Sequence, residues 1–229
     1  MEIRFIGHAT FELVSGDHRV LIDPFLAPDN PATEVTADEL DPTDILLTHG
    51  HKDHMSHAVE VAKSSGAHCV AMIELGAWLE DQGVENVTKP NLGGTVERDW
   101  GWVRLVPAFH TNTLPDGTVI GIASGLVVHM DGATVYHLGD TCLFSDLKLV
   151  SERDDISVAL IPIGGHFTMD QEDGVTAAEL LDADVVIPMH YENFPPVKAD
   201  AARYKAEVEA SSRTSSEVVI LKAGESHTV

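Results

Sequence analysis

The chain predicts an α/β fold in which layered sheets are covered by helices, and three observations carry that prediction. Short β-branched and aliphatic runs recur between Gly, Pro and Asp punctuation along the whole sequence. Helical patterns, with Ala, Glu, Leu and Val at i, i+3, i+4 spacing, are interleaved with them. No stretch is Gly/Ser-rich enough to be an interdomain linker and no fixed-period repeat occurs, so the 229 residues are read as one domain, 1–229, with a sizeable core.

In chain order, the strand candidates begin with IRFIG and FELV, followed by RVLID, which ends on Asp23, and DILLT, which ends on Thr48. HCVAMI, WVRLVPAF, IASGLVVHM and ATVYHL supply the middle of the chain, and ISVALIPI, DVVIPM and EVVILK its last third. Helices are predicted at about 53–65, 74–82, 172–181 and 199–211. The stretch Ala27 to Pro42, APDNPATEVTADELDP, has the composition of a loop that either covers a site or simply joins two strands.

Charge restricts the partners. With 37 acidic against 14 basic residues the formal charge is −23, which repels polyanions and gives nucleic acid no basic footprint. A small-molecule partner is expected instead, and a homo-oligomer is left open. Cys69 and Cys142 lack any CxxC spacing and read as free thiols, with a single bridge between them as the alternative. There is neither a basic segment leading into an apolar leader nor an apolar run of bilayer-spanning length, so the expectation is a cytoplasmic chain with no membrane segment.

The chemistry is concentrated in THGHKDHMSH, Thr48 to His57, where four histidines and one aspartate occupy ten positions. DILLT enters as a buried strand and the segment leaves in a helical pattern, which places the cluster at a strand-to-helix junction. His49 and His51 are two apart, so an extended backbone aims both to one side, and Asp53 and His54 follow around the turn. Imidazole nitrogen and carboxylate oxygen suit zinc or another first-row divalent ion; no thiolate site is indicated. A solvated polar turn is the competing reading.

His49-x-His51-x-Asp53-His54 resembles the signature of the metallo-β-lactamase superfamily. Further pieces of its pattern follow in order: Asp23 in VLIDPF, His110 in VPAFHT, Asp140 in VYHLGDT and His190 in VVIPMHY. FIGHATFEL, IDPF, GDT, IPIGGHFTM and PMHYENFP resemble the small metal-dependent hydrolases related to ascorbate-6-phosphate lactonase, over essentially the whole chain. That resemblance implies a four-layer αβ/βα sandwich with two divalent ions at one edge of the paired sheets. It implies His49, His51 and His110 on one ion, Asp53, His54 and His190 on the other, and Asp140 between them. Zn is the first expectation, with Mn, Fe, Co or Ni as alternatives. One departure is His166, where relatives often carry tyrosine.

Two divalent ions in such a site activate a water and polarise an ester or phosphoryl oxygen. The expected function is therefore hydrolysis of a small ester, lactone or phosphorylated metabolite. A phosphodiesterase for a small or cyclic phosphodiester, and a metal-dependent binding or sensing protein without turnover, are the alternatives. Asp53 is the candidate general base, with His8 or His166 as proton donor to the leaving group. Asp23 is read as an outer partner that orients a ligand histidine. His57 is expected on a solvated helix face, and His18, His68, His129, His137 and His227 in surface or core roles. Specificity is expected in loops 27–42, 111–118 and 192–198.

Overall fold

The computed structural model describes residues Met1–Val229. Strands β1 (Glu2–Gly7), β2 (Thr10–Ser15) and β3 (His18–Ile22) form an antiparallel meander. A loop holding one 3-10 turn, Ala37–Glu39, leads to β4 (Asp44–Leu46), which pairs parallel to β3. Helices α1 (Lys52–Met55) and α2 (Ala58–Ser65), strand β5 (His68–Val70), helix α3 (Ile73–Asp81) and strand β6 (Val87–Thr88) follow, with β5 and β6 added in parallel.

The second half repeats the plan. Strands β7 (Thr95–Arg98), β8 (Gly101–Pro107), β9 (Ser124–Met130) and β10 (Ala133–His137) are antiparallel. Asp131-Gly132, both at positive φ (54° and 80°), closes the β9–β10 hairpin with the residue pair such a two-residue turn demands. Helix α4 (Leu147–Asp154), β11 (Val158–Pro162), α5 (Gln171–Leu181), β12 (Val185–Met189), α6 (Ala201–Ala210) and β13 (Glu217–Val218) then extend the sheet in parallel. Strand β14 (Ser226–Thr228) returns to pair with β1. Asp170 and Asp200 cap α5 and α6 by accepting bonds from Asp173 N and Arg203 N.

The two seven-stranded sheets run β14-β1-β2-β3-β4-β5-β6 and β13-β12-β11-β10-β9-β8-β7. Alternation along each strand divides its residues between two cores. Val20, Ile22 and Leu46 of the first sheet meet Leu126, Leu160 and Ile187 of the second in the cluster between the sheets. Leu21, Ile45 and Leu47 point the other way, against Val61, Leu75 and Leu79 of α2 and α3. Ala159, Ile161 and Val186 likewise face Ala177, Leu181, Tyr204 and Val208 of α5 and α6. Helix, sheet, sheet, helix is the four-layer order that the family resemblance implies, and it covers the layered α/β fold that the sequence pattern predicts.

The predicted helix 53–65 is broken into α1 and α2 at Ser56–His57, because His57 turns inward. Its N–H donates to Pro24 O at 3.1 Å, its Nδ1 accepts from Leu26 N at 3.1 Å, and it is 8% exposed. The expectation of a solvated His57 is corrected accordingly. Helix α4 and strands β6, β7 and β14 were not among the predicted elements. Loop 27–42 packs as a connection, with Ala37 and Leu40 in the core beneath α2 and α3.

Gly164, after β11, lies against the backbone that carries His190: a Cβ there would stand 2.1 Å from His190 O and 3.0 Å from Val197 Cβ. Gly164→Ala is therefore expected to destabilise the fold by about 1–3 kcal/mol in urea unfolding. An unchanged unfolding midpoint would contradict this close packing.

Candidate metal centre

Strand direction assembles the site. Strands β1, β3 and β4 run one way in the first sheet, as do β8, β10 and β12 in the second. His8, Asp23 and His49 follow the first three, and His110, Asp140 and His190 the second three. Two of the backbone bonds that join the sheets here are His190 N to His8 O at 2.9 Å and Ser124 N to Thr48 O at 3.0 Å. His8, Asp23 and His190 sit at positive φ (60°, 47° and 57°), conformations that cost a non-glycine residue on the order of 1–3 kcal/mol and gather at functional sites. Gly139, at φ 64°, is required by proximity as well, since a Cβ would lie 2.8 Å from Ser124 O.

One donor group comprises His49, His51, His110 and Asp140. His49 Nε2 is 3.0 Å from His51 Nδ1, which is 3.2 Å from His110 Nε2. Asp140 Oδ2 lies 3.4 Å from His110 Nε2 and 3.9 Å from His49 Nε2. A tetrahedral ion with ligand bonds of about 2.0–2.1 Å needs donors roughly 3.3 Å apart, close to most of these spacings. The outer nitrogens fix which ring atom is free. His49 Nδ1 meets Thr48 Oγ1 at 2.9 Å, whose hydroxyl donates to Asp23 Oδ2 at 2.6 Å, so His49 keeps its proton on Nδ1 and its lone pair on Nε2.

The other group comprises His8, Asp53, His54 and His190. Asp53 Oδ2 is 3.1 Å from His8 Nε2, 3.6 Å from His190 Nε2 and 4.0 Å from His54 Nε2. His54 Nδ1–H donates to Asp23 Oδ2 at 2.8 Å, which turns Nε2 inward. Asp140 reaches this group too, with Oδ1 3.2 Å from His54 Nε2 and Oδ2 3.2 Å from His190 Nε2. His54 Nε2, His190 Nε2 and Asp140 Oδ1 are buried yet form no aligned hydrogen bond. Buried polar atoms this close and unpaired are costly unless another partner satisfies them, and a divalent cation is the partner that nitrogen and carboxylate donors share. The residues fit a divalent metal.

Electrostatics agree. Burial pushes His8 down to about 4 and His49 well below the usual imidazole range; it lowers His51 and His110 as well. For His54 and His190 burial acts in the same direction but is outweighed by the Asp140 charge, which holds His54 well above its usual value and His190 at about 9. Burial would raise the Asp53 and Asp140 carboxyls, but neighbouring histidines hold both well below the carboxylate range: His190 and His8 for Asp53, His190 and His54 for Asp140.

Asn112 and Thr141 hold the site without any signal in the sequence, and His137, expected in a surface or core role, is a buried brace. Asn112 Oδ1 accepts from Gly50 N at 2.8 Å and fixes the turn between His49 and His51. Thr141 Oγ1 accepts from Phe109 N at 3.1 Å, tying the His110 loop to the Asp140 loop. His137, fully buried, donates from Nε2 to Ala9 O at 2.8 Å and accepts at Nδ1 from Gly139 N at 3.1 Å. Neither Asn112 nor Thr141 has a spacing that distinguishes it from an ordinary polar residue.

A cavity of about 270 Å³ opens on the donors, lined by His51, Asp53, His110, Thr111, Asp140 and Phe167. A larger groove of about 1010 Å³ is formed by residues of the 192–203 segment with Gln171, and contains none of the donors, so the chemistry belongs to the smaller one. Of the loops expected to set specificity, 111–118 contributes Thr111 to this cavity and 192–198 lines the groove, while 27–42 lines neither. His166 is exposed with its ring against Phe167, and is absent from the cavity wall; the structure does not bring it to the donors.

Metal ligation needs neutral imidazole, whereas the Asp140 charge favours the protonated form of His54 and His190. Zinc uptake at pH 7 is therefore expected to release protons, with affinity falling as pH drops. Calorimetric titration in buffers of different ionisation enthalpy measures this; uptake without proton release would contradict the described charge state.

A family profile for the beta-lactamase superfamily domain matches residues 2–190. A UPF0173 metal-dependent hydrolase of Methanopyrus kandleri is 44% identical over 230 residues, covering 99% of both chains. One from Symbiobacterium thermophilum is 43% identical over 232 residues, covering 100% of both. Among solved structures, a metallo hydrolase from the hyperthermophilic archaeon Ignicoccus hospitalis superposes with a TM-score of 0.88 at 32% identity, over 99% of this chain and 97% of that one. With matches across its whole length and the metal-donor cluster in place, the chain belongs to the beta-lactamase superfamily, among its UPF0173 metal-dependent hydrolases.

Proposed function

We propose that the chain hydrolyses a small ester, lactone or phosphorylated metabolite at a site for two divalent ions, zinc first among the candidates. The observation that carries this reading is the position of Asp140, whose two oxygens stand within 3.2–3.4 Å of nitrogens from both donor groups. A single ion would leave one group of buried donors unmatched. In this reading His49, His51 and His110 hold one ion, Asp53, His54 and His190 hold the other, and Asp140 is shared. When bound, the ions supply a water of lowered pKa and polarise the scissile oxygen.

The protein's own groups do the rest. Asp53 is anionic at neutral pH, partly open to the cavity, and placed to accept the proton of the attacking water. His8 is neutral and fully buried, and its Nε2–H is committed to Asp53 Oδ2. It therefore acts through Asp53, holding the carboxylate in place, rather than as the direct proton donor expected from the sequence. His166, on the exposed loop, has no comparable partner. The leaving group takes its proton from Asp53 or from solvent at the mouth of the cavity. We place this activity in the cytoplasm; no helix is long and apolar enough to cross a membrane.

Asp140→Asn removes a charge that both groups use. It is expected to lower bound metal from about two ions per chain and to reduce hydrolysis by about a hundredfold or more. Asp146→Asn, at the exposed start of α4 with no capping bond, changes neither. Elemental analysis and turnover of a lactone or ester panel check this; an Asp140→Asn protein retaining two ions and near-normal turnover would refute the shared-carboxylate reading.

A further inference from the structure

Resting on the hydrolase reading above, we infer that the site takes a neutral substrate bearing an apolar group, selected by Phe109 and Phe167. The first observation is what the cavity wall lacks. None of its lining residues is Lys or Arg, so a phosphate or carboxylate remote from the reacting bond would meet no cation. Lys52, inside the metal-binding motif, is turned to Asp29 at 3.6 Å with most of its side chain in water. Lys198 and Arg203 line the separate groove, and Arg203 is engaged by Glu207 at 2.7 Å. The formal charge of −23 further disfavours an anionic substrate.

The second observation is what the rim offers. Phe109 is 59% exposed and Phe167 52%, two of the largest apolar side chains left in water. Both belong to loops fixed to the residue after Asp140: Phe109 N donates to Thr141 Oγ1 at 3.1 Å, and Met169 N to Thr141 O at 3.0 Å. Phe109 directly precedes His110 and stands edge-on to Phe144 at 4.8 Å, while Phe167 is part of the donor cavity's wall. Phe167 thus gives the donors' cavity an apolar wall, and Phe109 is an exposed ring one residue from His110, on a loop tied to the same Thr141. A substrate's apolar group laid on them leaves water while its polar bond points inward.

The test uses three methyl esters with the same leaving group: methyl phenylacetate, monomethyl succinate and methyl 3-phosphoglycerate. In each, the acyl C–O bond breaks and the water oxygen joins the acyl carbon. Methanol leaves with one of the water's protons, and the other is released with the carboxylate. For the metal-replete protein, kcat/KM is expected to favour methyl phenylacetate by roughly tenfold or more over both anionic esters. Phe109→Ala and Phe167→Ala should each raise its KM severalfold while bound metal is unchanged, and Lys198→Ala should alter neither. Binding of phenylacetamide, an uncleaved neutral analogue, measured by ligand-observed NMR, should weaken in both Phe variants. Preference for an anionic ester, or an unchanged KM in both Phe variants, overturns the inference. If no ester is cleaved by protein carrying its metals, the hydrolase reading fails by itself, and phenylacetamide then decides. Binding lost in the Phe variants upholds the apolar rim; binding that is absent or equal in all variants overturns it.

Discussion

The buried carboxylate of Asp23 is the contact on which the rest of the centre depends. It is wholly removed from water and accepts three bonds: Thr48 N at 2.8 Å on one oxygen, and Thr48 Oγ1 at 2.6 Å and His54 Nδ1 at 2.8 Å on the other. A buried charge is tolerable only when its lone pairs are met in this way. Because Thr48 Oγ1 also meets His49 Nδ1, one carboxylate sets the tautomer of a ring in each donor group. Strand β3, the end of β4 and helix α1 are thereby fixed to one another. The same bonds hold the rings of His49 and His54 at fixed orientations within the histidine cluster.

The second constraint is the meeting of two sheets. Neither half of the chain holds a full set of donors; each presents its own at the ends of co-directional strands, and a few polar contacts hold those ends in register. His137 spans Ala9 and Gly139, and so braces the backbone beside His8 against the backbone beside Asp140. Ser124 Oγ and N both donate to Thr48 O at 3.0 Å. These contacts sit above an apolar interface between the sheets, so burial supplies the cohesion and the polar braces supply the positions.

What the sequence made legible follows from how local each signal is. His49, His51, Asp53 and His54 fall within six residues, and their chemistry can be read directly. His110, Asp140 and His190 are isolated residues at strand ends, and only the resemblance to a family connected them to the cluster. Their convergence depends on strand direction and on pairing between distant segments, which no local pattern encodes. His8 was expected beside the site, but its bond to Asp53 required the positive φ at that residue and the approach of another loop. His57 was misread because three-residue spacing from His54 presumes an unbroken helix. Helix α4 escaped notice because its sequence, LKLVSERD, buries only Leu147 and Val150, and β6, β7 and β14 are short edge strands with little apolar pattern. Thr48, the hinge of the Asp23 network, looked like any polar residue closing a strand.

The central claim is that one carboxylate joins two donor groups around a pair of ions. X-ray absorption spectroscopy on protein fully loaded with zinc tests it most directly. The account predicts imidazole scattering together with a metal–metal path at about 3.5–4 Å. A spectrum of isolated ions at full loading, with no metal–metal path, would contradict it.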